Sequence, residues 1–352
     1  MRVGCRPDWL RPCLPFILII ASPDLTAVET FGSTADSSSN SGKAVETSDI
    51  HDDGIGHVQD DNDTVTTQED RNQEWFLRNR LRFGYDTNVL VEPEDVVTPK
   101  DGSSISVQDH LSLRWSGSWM EEQRLSLRID GEFQWYTGVE DVDLGRLGAA
   151  GSWKRRGDDW IPHATLSFQH YRLAGEAALD DLALSIGCGW LRGTSGVGIA
   201  CLQLRQLDYP TVADASGERA QLKLGWWFLG DAPGRRLEAD CAITAHNAEA
   251  DAETYRSLQP RLRGRWRWSE GLAGRPVDLS LAMAWERRRY QAARGTGVEE
   301  ELDVWSVQLA GQWQWSTRCH LGASISFTTH ASNDPVRDFD RGRFFVETTV
   351  YF

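Results

Sequence analysis

The chain has 352 residues, 40% hydrophobic and 25% charged, and 52 Asp and Glu against 37 Lys and Arg leave a net charge of −15. A mean hydropathy of −0.46, with no run of about 18 apolar residues, excludes a bundle of membrane-spanning helices. A membrane barrel stays open, because a spanning strand of about 9–11 alternating residues averages out as hydrophilic. The acidic balance argues against a nucleic-acid partner, since phosphate binding rests on clustered positive charge.

The amino terminus reads as an address. Arg2, Arg6 and Arg11 stand against Asp8 and precede the apolar run Leu14-Pro15-Phe16-Ile17-Leu18-Ile19-Ile20-Ala21, the layout of a secretory signal peptide over residues 1–27. An anchor helix is the alternative, but the run is too short to span. Neither Cys5 nor Cys13 has a lipidation context. Residues 28–75 carry twelve acids against Lys43 and Arg71, a local net charge of −10. With few aromatic or branched apolar residues, this segment cannot offset its ordering entropy by burial, and it reads as a disordered acidic periplasmic tail. His51 and His57 among its aspartates match no calcium-loop spacing, and neither a metal nor another cofactor is expected.

From Phe76 onward the period is two. In Leu125-Ser126-Leu127-Arg128-Ile129-Asp130-Gly131-Glu132-Phe133-Gln134-Trp135 the odd positions are apolar or Gly and the even ones polar, a strand with one greasy and one wet face. The same alternation marks segments near 76–86, 105–117, 123–136, 143–154, 160–172, 180–191, 197–207, 218–228, 236–246, 256–268, 276–289, 301–315, 319–330 and 342–352. Fourteen is an even number, and tight connections at 119–121, 156–158, 193–196 and 316–318 contrast with long ones at 87–102, 208–217, 291–299 and 331–341. The expected fold is therefore all-β: a transmembrane antiparallel up-and-down β-barrel of about fourteen strands over residues 76–352, with its short turns in the periplasm.

Tryptophan supports this independently. Alternate segments end on Trp115 and Trp119, Trp153, Trp190, Trp226 and Trp227, Trp266 and Trp268, and Trp313 and Trp315, which a barrel gathers at one rim as an aromatic girdle. A soluble sandwich would scatter these residues between core and loops. In the last segment Phe344, Val346, Val350 and the terminal Phe352 share one face. This resembles the carboxyl-terminal assembly signal of bacterial outer-membrane proteins, which the barrel assembly machinery reads.

With the apolar face turned to lipid, the opposite face carries Arg78, Arg80, Arg82, Arg114, Arg128 and Arg146, then Arg261, Arg263, Arg265 and Arg267 along one strand. Such a row repels itself unless water, lumen acids or an anion compensates it. The candidate acids are Asp130, Glu132, Glu238, Asp240, Asp278, Glu286 and Glu347. A charge network that stiffens the wall and an anion path are both consistent with this pattern, and a third reading has the acidic tail plugging the basic lumen. Cys188 and Cys201 lie symmetrically about the Thr194-Ser195 turn, so a disulfide between them is one expectation and two unbonded small side chains the other. No paired CxxC spacing points to a metal. His110, His163, His246 and His320 read as isolated lumen residues, and without a GxSxG, HExxH or phosphate-loop pattern no enzyme activity is expected.

Tyr85-Asp86-Thr87-Asn88-Val89 and Ser332-Asn333-Asp334-Pro335, the latter running through Asp338-Phe339-Asp340-Arg341 into the last strand, resemble motifs in the barrel domain of the surface lipoprotein assembly modifier family. The resemblance implies a fourteen-stranded barrel in the Gram-negative outer membrane and a part in moving lipoproteins to the cell surface. The helical repeats that precede the barrel in that family have no counterpart in 28–75, and a porin family with a similar opening motif fits as well. The expected function is passage or export across the outer membrane, as a solute channel or a surface-lipoprotein export accessory. Its expected partners are outer-membrane lipid, the assembly machinery, and an exported lipoprotein or a small anionic solute. The alternatives are a structural or partner-binding barrel with a closed lumen and, further off, an outer-membrane hydrolase.

Overall fold

The computed structural model describes residues 73–87, 89–91, 98–100, 103–120, 122–137, 143–157, 159–192, 196–210, 215–229, 234–291, 300–333 and 338–352. The expected signal peptide, nearly all of the acidic tail, Asn88, Thr194, Ser195, Asp334 and Pro335 lie outside the described residues.

All fourteen expected segments are strands of one closed barrel: β1 (Gln73–Asp86), β4 (Ser104–Met120), β5 (Gln123–Thr137), β6 (Leu144–Arg155), β7 (Trp160–Leu173), β8 (Glu176–Arg192), β9 (Gly196–Asp208), β10 (Gly217–Leu229), β11 (Arg235–Ala248), β12 (Tyr255–Trp268), β13 (Val277–Tyr290), β14 (Glu300–Gln314), β15 (Cys319–Ser332) and β16 (Phe339–Tyr351). A small separate hairpin, β2 (Val89–Val91) with β3 (Thr98–Lys100), sits in the first long connection. Each barrel strand runs antiparallel to its chain neighbours, and β1 pairs antiparallel with β16 from Arg78↔Tyr351 to Asp86↔Arg343. Closure requires an even strand number and leaves no edge with unpaired N–H and C=O groups, the condition for spanning hydrocarbon.

Strand parity turns the usual arrangement inside out. Leu127, Ile129, Phe133, Leu166, Ile186, Leu224 and Ile243 are exposed on the exterior, whereas Ser106, Gln108, His110, Asp130, Glu132 and Thr244 are buried on the interior. Each large apolar side chain left in water would forfeit about 1.5–3 kcal/mol of burial free energy, so an exterior of this kind is a lipid-facing belt and not the surface of a soluble sandwich.

Two aromatic rims bound the belt. On the side of the short turns Trp75 stands directly opposite Trp115, the Trp160 and Trp190 rings lie 6.1 Å apart, Trp190 and Trp226 6.2 Å, and Trp313 and Trp315 5.8 Å. Trp119 and Trp268 are exposed there, and Trp153 and Trp266 face outward at the same strand ends. Trp227 differs from its expected place. It opposes Val197 and Glu238, faces inward and is buried, with the Arg236 guanidinium 4.4 Å from its ring centre; of two adjacent strand residues only one can face lipid. A second rim, absent from the sequence expectation, holds Tyr85, Trp135, Trp285 and Trp305. Trp75 and Tyr85 on β1 are ten residues apart, about 33 Å along a strand and about 25 Å along the membrane normal at a tilt of about 40°, the height of an outer-membrane belt.

The connections at 121–122, 156–159, 193–195, 230–234 and 315–318 are short and fall beside the first rim. The longer turn at 269–276 carries a 3-10 turn, Leu272–Gly274, whose Leu272 carbonyl accepts the Trp313 indole N–H at 3.0 Å. On the other side, where loops are generally longer, 174–175 is a two-residue hairpin with φ of 49° at Ala174 and 85° at Gly175, the left-handed pair of a type I′ turn. Phe344, Val346, Val350 and Phe352 share the outer face as expected, and the Phe352 N–H donates to the Leu77 carbonyl at 3.0 Å.

Candidate functional site: the lumen

The inner wall is built by register. On β12 the inward positions Arg261, Arg263, Arg265 and Arg267 alternate as expected, and β11 sets Asp240 directly opposite Arg261 and Glu238 opposite Arg263. Arg261 Nε lies 3.1 Å from Asp240, Arg263 Nη1 3.7 Å from Glu238, and Arg267 Nε 3.9 Å from Asp278 on β13. Glu238 also pairs with Arg236. On β1 the Arg82 Nε donates to Glu347 at 2.6 Å across the closing seam. Across β4 to β6, Arg128 reaches Asp130 at 2.8 Å and Arg146 reaches Glu132 at 2.6 Å, while Gln108 bridges to Glu132. Glu286 accepts from Arg288 at 2.9 and 3.1 Å. Arg114, opposite Arg128 and Phe76, completes the inward set. All the expected lumen acids and bases thus face inward.

The acids are shared out among the bases, and positive charge remains in surplus on the register. Arg78 stands opposite Ser112 and Tyr351, Arg80 opposite His110 and Thr349, and Arg265 opposite Arg236 and Ser280. None of these three has an acid as a direct cross-strand neighbour. Long guanidinium stems then lie along the wall, and their heads make a basic interior that attracts anions.

Several inward residues escaped sequence reasoning because their strands are apolar on both faces or, near the loops, reverse the alternation, with Arg256, Arg287, Arg289, Glu301 and Asp303 outward. Ile161, Val197, Ile199 and Trp227 form a buried apolar stretch of inner wall across β7 to β10 near the short turns. Near the loops, Tyr255, Tyr290, Leu302 and Val304 cluster inside the barrel, with Arg288 5.1 Å and Arg219 5.9 Å from the Tyr255 ring centre. The only sequence signal was aromatic residues at inward parity.

The seam joins the end of β1 to the start of β16. Asp86 at the end of β1 accepts from Arg341 Nη2 at 2.7 Å and from its Nε at 3.1 Å, with the two side chains 0% and 5% exposed. Thr87 exchanges two hydrogen bonds with Gly342, N–H to carbonyl at 2.9 Å and Oγ1 accepting from N–H at 2.7 Å.

Of the two expectations for Cys188 and Cys201 the unbonded one holds: they form no disulfide with each other. The connection at 193–195 has three residues, so Cys188 pairs with Ala200 and Cys201 with Gly187. One step of register puts the two sulfurs on opposite faces of the wall. His110, His163, His246 and His320 all face inward, from four separate strands, β4, β7, β11 and β15. His110 Nε2 lies 3.5 Å from Asp130.

No family model and no curated relative matches the chain. Among solved structures it is similar to the outer membrane channel DcaP of Acinetobacter baumannii at 9% identity and a TM-score of 0.50, over 80% of this chain and 97% of that one. It is also similar to a loop-deletion form of OmpT, an outer membrane protein of Vibrio cholerae, at 7% identity and a TM-score of 0.48, over 80% and 100%, and to OccK5 of Pseudomonas aeruginosa at 13% and 0.40, over 79% and 98%. At such identities the likeness is one of fold: a closed antiparallel barrel of the kind found in bacterial outer membranes.

Proposed function

We propose that the chain is an outer-membrane barrel of a Gram-negative bacterium that passes small anionic solutes. The observation that carries this reading is the run of inward guanidinium groups, Arg261, Arg263, Arg265 and Arg267 in unbroken alternation on β12 and Arg78, Arg80 and Arg82 on β1, with Arg114 and Arg128 beside them. The lipid-facing belt with its two rims supports the membrane, and the fold shared with the DcaP channel supports the bacterial outer membrane. In this reading the paired Arg and acid residues hold the wall in shape, and the surplus charge raises the local concentration of anions. In this reading the lumen histidines serve as polar lining.

A second reading, a barrel whose lumen is closed, is favoured by the burial of the inward residues Arg80, His110, His246, Asp86 and Glu300. A surface-lipoprotein export accessory is a variant of the first reading that rests on the Tyr85–Val89 resemblance. Single-channel current across a planar bilayer under a salt gradient separates these. Steady current with a reversal potential of anion selectivity supports the channel. Silence from protein with barrel-like circular dichroism, both intact and lacking residues 28–75, supports the closed barrel. Loss of a surface lipoprotein on gene deletion supports the export variant.

A further inference from the structure

The exterior holds one feature that the passage of solutes does not use. Asp109 of β4 and Asn79 of β1 both point outward, and the Asn79 Nδ2 donates to Asp109 Oδ1 at 2.8 Å. Asp109 stands directly opposite Leu81 and Phe133. It lies six residues from Trp115 at one rim and four from Ile105 near the other, about 15 Å into a belt of about 25 Å.

Other outward ionisable side chains among the described residues, such as His170, Asp180, Glu218, Arg256, Arg287 and Glu301, sit near strand ends with no large outward apolar residue between them and the adjoining loop. Asp109 has Val107 and Ile105 on one side along its strand and Leu111 and Leu113 on the other. A carboxylate facing acyl chains at this depth is costly, and such groups are found where protein covers them.

We propose that Asp109 and Asn79 mark a contact face between two copies of this chain in the membrane, formed by the outer surface of β1, β4 and β5. The pair is self-complementary. The Asn79 amide has a second N–H beyond the one given to its own Asp109, and the carboxylate has further lone pairs. A two-fold axis beside the pair brings the Asn79 of each copy to the Asp109 of the other, so both polar groups are satisfied reciprocally. A second copy supplies its own donor, whereas acyl chains supply none. Next to Asp109, Gly131 of β5 faces outward with nothing within 4 Å of the position a Cβ would take, so a second wall approaches the backbone closely.

The test uses the full chain with its four barrel cysteines changed to alanine, refolded into lipid vesicles, with folding of each variant checked by gel mobility before and after heating. Gly131→Cys is expected to give a band of doubled mass with a short bis-maleimide, and Leu262→Cys on the outer face of β12 is not. Adding Asp109→Leu with Asn79→Leu is expected to weaken dimerisation at least about tenfold by sedimentation in detergent and to remove the cross-link. These changes replace polar groups by apolar ones in lipid, so the barrel folds. A monomer at every concentration, or a dimer unchanged by the double substitution, overturns the proposal. Either result leaves conductance, and with it the solute reading, untouched.

Discussion

Replacing Asp86 by Asn tests whether the seam between the first and last strands is locked by its buried ion pair. The Arg341 guanidinium makes contacts of 2.7, 3.1 and 3.1 Å with the Asp86 carboxylate, and both side chains are essentially out of solvent. Removing one charge of such a pair costs about 3–5 kcal/mol, chiefly because the other is left buried without its counter-ion. At about 1.4 kcal/mol per tenfold, the folded-to-unfolded ratio falls by roughly a hundredfold or more. Urea unfolding in lipid vesicles, followed by tryptophan fluorescence, reads this directly. The double variant Asp86→Leu with Arg341→Leu is expected to lose less than the sum of the single changes, by at least about 2 kcal/mol. Arg155→Ala provides the control, because its contact with Glu122 is 3.8 Å long and more than half exposed on both sides, and exposed pairs contribute about 0–1 kcal/mol. An Asp86→Asn variant within about 0.5 kcal/mol of the parent, or strict additivity in the cycle, refutes the latch.

Arg263→Gln combined with Arg265→Gln is expected to move the reversal potential toward cations, measured under the same salt gradient as the parent; an unmoved potential removes β12 from the ion path. Gly198→Ala drives a Cβ into the Trp190 indole, so it is expected to blue- or red-shift the tryptophan emission and cost about 1–3 kcal/mol in urea unfolding, the usual penalty for overpacking. Intact-mass measurement before and after reduction is expected to show no change from a Cys188–Cys201 bond, and a gain of two hydrogens per chain would contradict the three-residue register. Trp227→Ala takes the aromatic platform from under Arg236; a loss of stability without a change in mobility at the membrane rim is expected, since this residue faces inward.

Parity along the chain made the strands legible: Leu125 to Trp135 and Arg261 to Arg267 declare their faces without reference to any neighbour, because successive side chains of a strand point to opposite sides. The rim of tryptophans followed from the same local rule, and so did its error, since Trp226 and Trp227 cannot both face lipid. The inward apolar stretch of Val197 and Ile199 was hidden because alternation fades where both faces are apolar. Features set between strands were not legible at all. Whether Cys188 meets Cys201 or Ala200 depends on one residue of loop length, and in a pleated ladder that single step exchanges inside for outside.

Strand number, the inner and outer faces, and the basic character of the lumen can be read along the chain alone, since each depends only on the period-two pattern within a segment. Which acid meets which arginine, the facing of Arg265 and Arg236, the lock of Asp86 to Arg341 across 255 positions of chain, and the meeting of Asp109 with Asn79 on the outer wall arise only when the strands pair and the ring closes. Those outcomes depend on register and closure, which couple every strand to its two neighbours and are set by turn lengths and by the whole ring together.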